Sequence, residues 1–145
     1  MRLLRFSVIA ALAAALPLAL AACDDDSPTA PSNGVFSQTD VAVGTGAEAV
    51  TGKDLTVHYT GWLWDPSKTD AKGLQFETSR TGTPLVFTLG AGELIEGFDQ
   101  GLVGMKAGGL RRLVVPPSMA YGAARNGPIP PNSTLVFEVE LLKVE

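Results

Sequence analysis

In the segment Asp54–Leu63 (DLTVHYTGWL), mostly apolar residues alternate with mostly polar ones. Successive side chains of a β-strand point to opposite faces of the sheet, so this alternation predicts a strand with one buried face. Strands of parallel sheets are covered on both faces and show continuous apolar runs instead. We therefore expect an antiparallel sheet with one side facing water. The predicted inner face carries Leu55, Val57, Tyr59, Gly61 and Leu63, and the outer face Thr56, His58, Thr60 and Trp62.

Other segments with strand character lie on both sides of this one. Leu135–Leu142 alternates in the same way, with Leu135, Phe137, Val139 and Leu141 on one face. All 16 glycines fall between Gly34 and Gly127, so turns are expected throughout this part of the chain. The shorter candidate strands are Val41–Val43, Leu74–Thr78, Leu85–Leu89 and Leu110–Val115.

One segment, Glu93–Met105 (ELIEGFDQGLVGM), shows helical spacing instead, with apolar residues at Leu94, Phe98, Leu102 and Met105. Its internal glycines limit the helix to about two turns, because each costs about 1 kcal/mol relative to alanine. A short helix of this kind could plug the concave face of the sheet. The predicted fold class is α+β, with a curved antiparallel sheet wrapped around one short α-helix.

Composition excludes several classes of protein. The chain has 145 residues, 46% of them hydrophobic, and a formal net charge of −4, which suits one domain and offers no basic face for nucleic acid. One cysteine (Cys23) and one histidine (His58) supply neither an internal disulfide nor a structural zinc site. We expect no metal and no cofactor.

The amino-terminal residues have the features of an export signal. Arg2 and Arg5 precede an uninterrupted apolar run from Val8 to Leu20, which is too short to span a bilayer. The next residues, Leu20-Ala-Ala-Cys23, resemble the lipobox of bacterial lipoproteins. We therefore expect a lipoprotein signal peptide at residues 1–22 and a lipidated Cys23.

An acidic and Ser/Pro-rich stretch, Asp24 to Gly34 (DDDSPTAPSNG), follows the cysteine. Because it is too polar to offset its own ordering entropy, residues 23–34 are predicted to form a flexible tether that carries the lipid. The remaining residues, 35–145, form the predicted folded domain. These features indicate a protein anchored on the extracytoplasmic face of a bacterial envelope, and Asp24 after the cysteine slightly favours the inner membrane.

Few residues are arranged for covalent or proton-transfer chemistry. His58 lies in the middle of a predicted strand, no G-x-S-x-G motif occurs, and Gly44–Ala49 matches a dinucleotide-binding pattern only by letter. Glu77, Glu93 and Asp99 could still meet as paired carboxylates. Aromatic side chains are abundant and could fill the core, as we expect of Phe87, or line an apolar pocket.

Six strings of residues decide between these alternatives. They follow in the order found in FKBP-type peptidyl-prolyl isomerases, which this chain resembles from about Val35 to Glu145. The strings are Val57-His-Tyr-Thr-Gly61, Gln75-Phe-Glu-Thr-Ser79, Leu89-Gly-Ala-Gly-Glu-Leu-Ile-Glu-Gly-Phe98, Gly108-Gly-Leu-Arg-Arg-Leu-Val-Val-Pro116, Ala120-Tyr-Gly122 and Ile129-Pro-Pro-Asn-Ser-Thr-Leu-Val-Phe137.

The resemblance implies a role for each residue of the pocket. The floor would be an aromatic ring on the helix and the walls three further rings, while a tyrosine hydroxyl and a backbone N–H would bind the peptide. One acidic side chain and one rim carbonyl complete the set. Phe98 would form the floor, and Tyr59, Phe76 and Phe137 would form the walls. The Tyr121 hydroxyl and the Ile95 N–H would bind the peptide, Glu77 would be the acidic side chain, and Glu93 would supply the rim carbonyl. Further lining would come from Leu85, Leu94, Ile95 and Ile129.

The sequence also departs from the family pattern. Glu77 is one methylene longer than the usual Asp, Leu85 stands where an aromatic wall is common, and Met119 replaces a frequent Tyr. No clear counterpart exists for a basic residue in the loop after Glu77, and Trp62–Gln75 contains an insertion. Tight macrolide binding is therefore less strongly implied than isomerase activity.

The implied function is cis–trans isomerisation of Xaa–Pro bonds in exported proteins, without a covalent intermediate. The expected partners are Xaa–Pro segments, macrolide inhibitors and, through the anchor, a membrane, and the expected state is a monomer. Two alternatives remain open at this point: a catalytically weak peptide-binding module or holdase chaperone of the same fold, and an unrelated small-ligand binder.

Overall fold

The structure, a computed structural model, describes residues 34–145. The predicted signal peptide, Cys23 and the tether up to residue 33 lie outside the described residues. The described residues form an antiparallel sheet and one short α-helix, which confirms the predicted α+β architecture. The strands are β1 (Ser37–Ala42), β2 (Asp54–Trp64), β3 (Lys72–Thr78), β4 (Leu85–Thr88), β5 (Leu110–Val115) and β6 (Leu135–Val144), and the helix is α1 (Glu96–Gly101).

Strand β2 organises the sheet, whose order is β1-β5-β6-β2-β3, with β4 also paired to β2. Along one edge β2 pairs with β6 from Leu55 to Leu63. Along its other edge it pairs with β4 at its beginning and with β3 at its end. Its alternation therefore sets the inner face of the whole sheet, and Leu55 and Val57 are fully buried on that face.

Helix α1 packs on the concave face, against β5 and the inner side chains of β2 and β6. The predicted plug is therefore present. The core around it is apolar, and its largest fully buried side chains are Leu55, Leu89, Leu102, Leu113, Leu135 and Leu141. Within residues 34–145, no helix combines the length and hydrophobicity that a membrane crossing requires.

Two predicted elements have different bounds in the structure. Strand β1 begins at Ser37 instead of Val41, and Val43 lies beyond its end with 75% of its surface exposed. As an edge strand that pairs only with β5, it is held by backbone hydrogen bonds and needs no apolar alternation. Helix α1 occupies only six residues of the predicted segment Glu93–Met105. It ends at Gly101, and beyond it Gly104 adopts a left-handed conformation, with a φ of 80°, which a continuing helix does not allow.

The outer face of the sheet is less exposed to water than predicted. Val114 and Val136 lie opposite each other on this face and are both buried. The insertion between β2 and β3 folds across their neighbours: Asp70 binds Arg112 at 3.1 Å, and Lys72 binds Glu138. The expectation of one wet face is therefore wrong near the insertion, because residues distant in sequence cover it.

Candidate active site

A cavity of about 430 Å³ opens on the concave side of the sheet, between α1 and the strands. Eight of its lining residues contribute rings or aliphatic side chains, and the polar side-chain groups are two tyrosine hydroxyls and three carboxylates. Eleven residues line it: Tyr59, Glu77, Leu85, Glu93, Leu94, Ile95, Glu96, Phe98, Ala120, Tyr121 and Phe137.

Phe98 of α1 forms the floor of this cavity, and only 3% of its surface is exposed. Its ring meets Phe137 at a centroid distance of 4.9 Å and an angle of 82°, and Tyr59 at 5.9 Å and 87°. Edge-to-face contacts of this kind stabilise aromatic pairs beyond the effect of burial alone. The rings therefore hold one another in place at the base of the cavity.

Two glycines let α1 lie directly on β5. A Cβ atom on Gly97 would come within 2.5 Å of Val115 Cγ1, and one on Gly101 within 2.7 Å of Leu113 Cδ2. Both distances are shorter than any tolerated contact, so the helix or the facing side chain would have to shift. The glycines that weaken the helix as an isolated element are therefore the ones that allow it to pack at this depth.

The carboxyl end of α1 is held by Arg111 of β5. The Arg111 Nη1 group donates hydrogen bonds to the carbonyl oxygens of Gly101 at 2.9 Å and Val103 at 3.0 Å. These carbonyls lie where a helix leaves acceptors without partners, and a cation is favourable there. Because Phe98 lies on this helix, Arg111 helps to fix the position of the Phe98 ring at the base of the cavity.

The loop before α1 is held by carboxylates that accept backbone hydrogen bonds. Asp99 accepts from the N–H of Gly90 at 2.9 Å and of Gly92 at 3.0 Å. Glu93 accepts from the N–H of Thr88 at 3.0 Å. These bonds fix the loop that carries Glu93, Leu94 and Ile95 to the cavity.

The two tyrosine hydroxyls at the cavity stay protonated over a wide pH range. Burial raises the pKa of the Tyr59 phenol above its ordinary value, and the neighbouring Glu77 carboxylate raises it further. Burial, followed by the charge of Glu77, also raises the pKa of Tyr121. Both phenols can therefore donate hydrogen bonds at neutral pH.

Nine of the eleven residues assigned to the pocket from the sequence line the cavity, and two do not. Phe76 is half-buried and packs against the wall residue Phe137, with ring centroids 5.7 Å apart. Ile129 is buried in the core, and its backbone bonds to Asn126. Both residues therefore support the wall of the cavity through packing.

Two lining residues, Glu96 and Ala120, were not selected from the sequence. Both are direct neighbours of selected residues, Ile95 and Tyr121. The first pair stands where the extended chain enters α1, and the second lies in a turn, so that both members of each pair reach the cavity. Met119, one of the departures from the family pattern, is half-buried and packs against the core instead of lining the cavity.

Two other residues considered for proton-transfer chemistry, His58 and Asp99, make hydrogen bonds that hold the fold together. The Nδ1 atom of His58 lies 3.1 Å from the hydroxyl of Ser79, as expected for a satisfied strand histidine. Asp99 is occupied by the backbone of the loop before α1. Phe87 fills the core, as expected. Among residues 34–145, no three His, Cys, Asp or Glu side chains are grouped to hold a metal ion.

The fold and the cavity both have counterparts among known proteins. The model of the family FKBP_C, FKBP-type peptidyl-prolyl cis-trans isomerase, matches residues 46–142. An FK506-binding protein of Neisseria meningitidis serogroup B is 51% identical over 107 residues, which cover 72% of this chain and 92% of that protein. FK506-binding protein 1 of Aspergillus oryzae is 43% identical over 105 residues, covering 70% of this chain and 90% of its own length.

Solved structures agree with these relatives. The crystal structure of FkpA from Escherichia coli superposes with a TM-score of 0.66 at 40% identity and covers 80% of this chain and 54% of that one. The crystal structure of AtFKBP13 gives a TM-score of 0.65 at 36% identity, with coverage of 76% and 93%. With its sheet, its helix and its aromatic cavity, this chain belongs to the FKBP-type peptidyl-prolyl cis-trans isomerases and is an enzyme of that family.

Proposed function

We propose that this enzyme accelerates rotation about Xaa–Pro bonds of exported proteins by holding the bond in its dry aromatic cavity, without any covalent intermediate. The observation that carries this proposal is the aromatic floor and wall of the cavity, where the rings of Phe98, Phe137 and Tyr59 pack against one another.

The chemistry of the peptide bond explains why such a cavity suffices. Rotation faces a barrier of about 18–20 kcal/mol because resonance gives the C–N bond partial double-bond character. The planar amide is more dipolar than the twisted one, so water stabilises the ground state more than the transition state. A cavity that replaces water with rings removes this difference and so favours the twisted state.

Hydrogen-bond donors at the cavity supply the second contribution. We assign the Tyr121 hydroxyl and the Ile95 N–H to the peptide backbone on either side of the rotating bond. Glu77 acts through its charge and its interaction with Tyr59 and transfers no proton. A millionfold acceleration needs about 8 kcal/mol, which exceeds any single hydrogen bond, so desolvation and positioning share it.

The test is the cis–trans exchange rate of short Xaa–Pro peptides, measured by NMR. Tyr121→Phe is expected to lower kcat/KM about fivefold, since one hydrogen bond to the twisted state is worth about 1 kcal/mol. Ser67→Ala removes a hydroxyl from the exposed insertion, where it bonds Asp65, and is expected to change nothing. Equal rates for the wild type and Tyr121→Phe would contradict the role of the hydroxyl.

The same measurement separates the enzyme from a binding module of the same fold. Leu85 and Glu77, two departures from the family pattern, both line the cavity. If peptides bind but exchange no faster than in buffer, the chain is a peptide-binding module or holdase, and our proposal fails. We also propose that macrolides enter this cavity, since related chains are named FK506-binding proteins. FK506 should then inhibit exchange competitively.

The location of the enzyme is a separate proposal, supported by the sequence of residues 1–34 alone. We propose that Cys23 carries the lipid and that the enzyme acts on the extracytoplasmic face of the envelope, with the inner membrane favoured. Several acyl chains give stable anchoring where one is marginal. Cys23→Ser should release the protein from the membrane while it keeps its activity on peptides. Retention of that variant in the membrane would contradict the anchor.

A further inference from the structure

The mouth of the cavity carries an unbalanced charge. Three of its lining residues are glutamates, Glu77, Glu93 and Glu96, and all three side chains are exposed at the rim. None of the lining residues is a lysine, an arginine or a histidine. The family resemblance implies a basic residue after Glu77, and the segment Thr81-Gly-Thr83 stands there instead. Any peptide entering the cavity therefore passes three carboxylates.

These carboxylates are not neutralised by neighbours in the described part of the chain. The ion pairs of residues 34–145 employ other acids: Asp40, Asp70, Glu138, Glu140 and Glu145. Glu93 accepts a hydrogen bond from the Thr88 N–H, and Glu96 accepts one from the Gln100 side chain. Both donors are uncharged, so they orient the two carboxylates at the rim and leave their charge in place.

A charged rim around an apolar hollow acts on whatever lies just outside it. The low-dielectric wall focuses the field into the opening. A unit charge about 8 Å from one carboxylate in a water-like medium gains about twofold in binding, before screening by salt. Three carboxylates act together, and the sign reverses for an acidic residue.

We propose that this enzyme selects Xaa–Pro segments that carry lysine or arginine within a few residues of the proline and discriminates against segments with aspartate or glutamate there. The inference rests on the proposed function and adds the class of substrate to it. The proline ring occupies the aromatic cavity, and the basic side chain lies over the rim, beside Glu77, Glu93 and Glu96.

Three peptides test this preference. They share one sequence with leucine before proline and differ only in the second residue after proline, which is Lys, Gln or Glu. We expect kcat/KM to decrease in that order, with a Lys-to-Glu ratio of about threefold to tenfold at low salt. The ratio should approach one in about 0.5 M NaCl, because the screening length falls to a few ångströms.

The variant Glu93→Gln/Glu96→Gln removes two charges while each new amide oxygen can still accept the original hydrogen bond. Its Lys-to-Glu ratio should fall towards one. The matched control, Glu48→Gln/Glu145→Gln, makes the same change in net charge at positions that do not line the cavity, and should keep the wild-type ratio. The readout is a ratio within one enzyme, so a general change in activity cancels.

Three results overturn the inference: equal kcat/KM for the Lys and Glu peptides at low salt, a ratio insensitive to salt, or the same fall in both double variants. All three leave the isomerase itself intact. If no peptide is accelerated, the proposed function fails instead. The preference is then judged on dissociation constants of the same three peptides, measured by NMR titration, and equal constants overturn it.

Discussion

The guanidinium of Arg111 on β5 binds both carboxylate oxygens of Asp40 on β1, with Nε–Oδ1 at 2.6 Å and Nη2–Oδ2 at 3.2 Å. Arg111 is a buried residue, only 6% exposed, and its remaining nitrogen caps the end of α1. One side chain thus joins the edge strand of the sheet to the helix that carries the floor of the cavity. The pair is fully satisfied, which allows a charge to be buried there.

Replacing Asp40 should destabilise the protein more than replacing Arg111. Asp40→Ala leaves a buried guanidinium without its counter-charge, and because the Asp40 side chain itself is 40% exposed, we expect the free energy of unfolding to fall by about 2 kcal/mol. Arg111→Met removes the charge itself and keeps most of the buried volume, so a smaller loss is expected. Urea denaturation measures both.

The control for this prediction is the surface ion pair between Lys143 and Glu145, whose side chains are both more than half exposed. Lys143→Ala should cost less than about 1 kcal/mol, because solvent screens exposed pairs. A larger loss for Arg111→Met than for Asp40→Ala would contradict the argument from the buried charge.

Gly97→Ala should destabilise the protein even though alanine favours helix. The new methyl group would meet Val115 Cγ1 at 2.5 Å, and the helix must move off the strand to accommodate it. We expect a net loss of about 1–3 kcal/mol from overpacking, together with a lower kcat/KM, since Phe98 and Ile95 move with the helix. Thermal denaturation and peptide exchange measure the two effects.

Two further variants test the cause. Gly82→Ala places a methyl group in open space and should change stability by less than about 0.5 kcal/mol. Val115→Ala added to Gly97→Ala should restore part of the lost activity by making room for the methyl group. If the double variant is no more active than Gly97→Ala alone, the helix is not displaced by this contact.

Two buried phenylalanines should separate stability from catalysis. Phe98 and Phe87 are each 3% exposed and lie 6.3 Å apart, but only Phe98 lines the cavity. Phe98→Leu and Phe87→Leu should each destabilise the fold by about 1–2 kcal/mol. Only Phe98→Leu should lower kcat/KM by more than about tenfold, because it removes the floor ring. Equal losses of activity would mean that the rings act only through stability.

The Tyr59 phenol should make stability fall at alkaline pH. In the unfolded chain it ionises near its ordinary pKa of 10.0, whereas burial raises its pKa in the folded protein. Its stabilising contribution is therefore complete below pH 10.0 and is lost as the pH rises towards the folded-state pKa, since the unfolded chain then binds fewer protons. Urea denaturation between about pH 9 and 11 should show a larger loss for the wild type than for Tyr59→Phe. Identical losses would contradict the pKa shift.

The long strands and the fold class could be predicted from local pattern. The alternation in Asp54–Leu63 predicted β2 and its buried face, because the side-chain period of a strand is a property of the backbone alone. The start of edge strand β1 was predicted at Val41, four residues too late, and Val41 itself is exposed in the structure. An edge strand is stabilised by backbone hydrogen bonds to its partner, so its own side chains need not show an apolar pattern.

The candidate site was predicted through family resemblance, residue by residue, and the structure adds the spatial relations. Glu96 at the start of α1 and Ala120 in a turn line the cavity because of the local path of the backbone, which residue spacing does not reveal. Phe76 was assigned to the wall, and in the structure its half-buried ring packs edge-on against Phe137. Which surface a ring faces depends on what packs opposite it.

The sequence by itself determined the strands, the one helical segment and the acidic, aromatic character of the domain, because these follow from side-chain chemistry and local periodicity. Only the tertiary structure decided that Gly97 and Gly101 bring the helix onto β5, that Arg111 joins Asp40 to its end, and that three carboxylates surround one opening. Each of these relations joins residues from separate elements, and their distances are set by the pairing and curvature of the whole sheet.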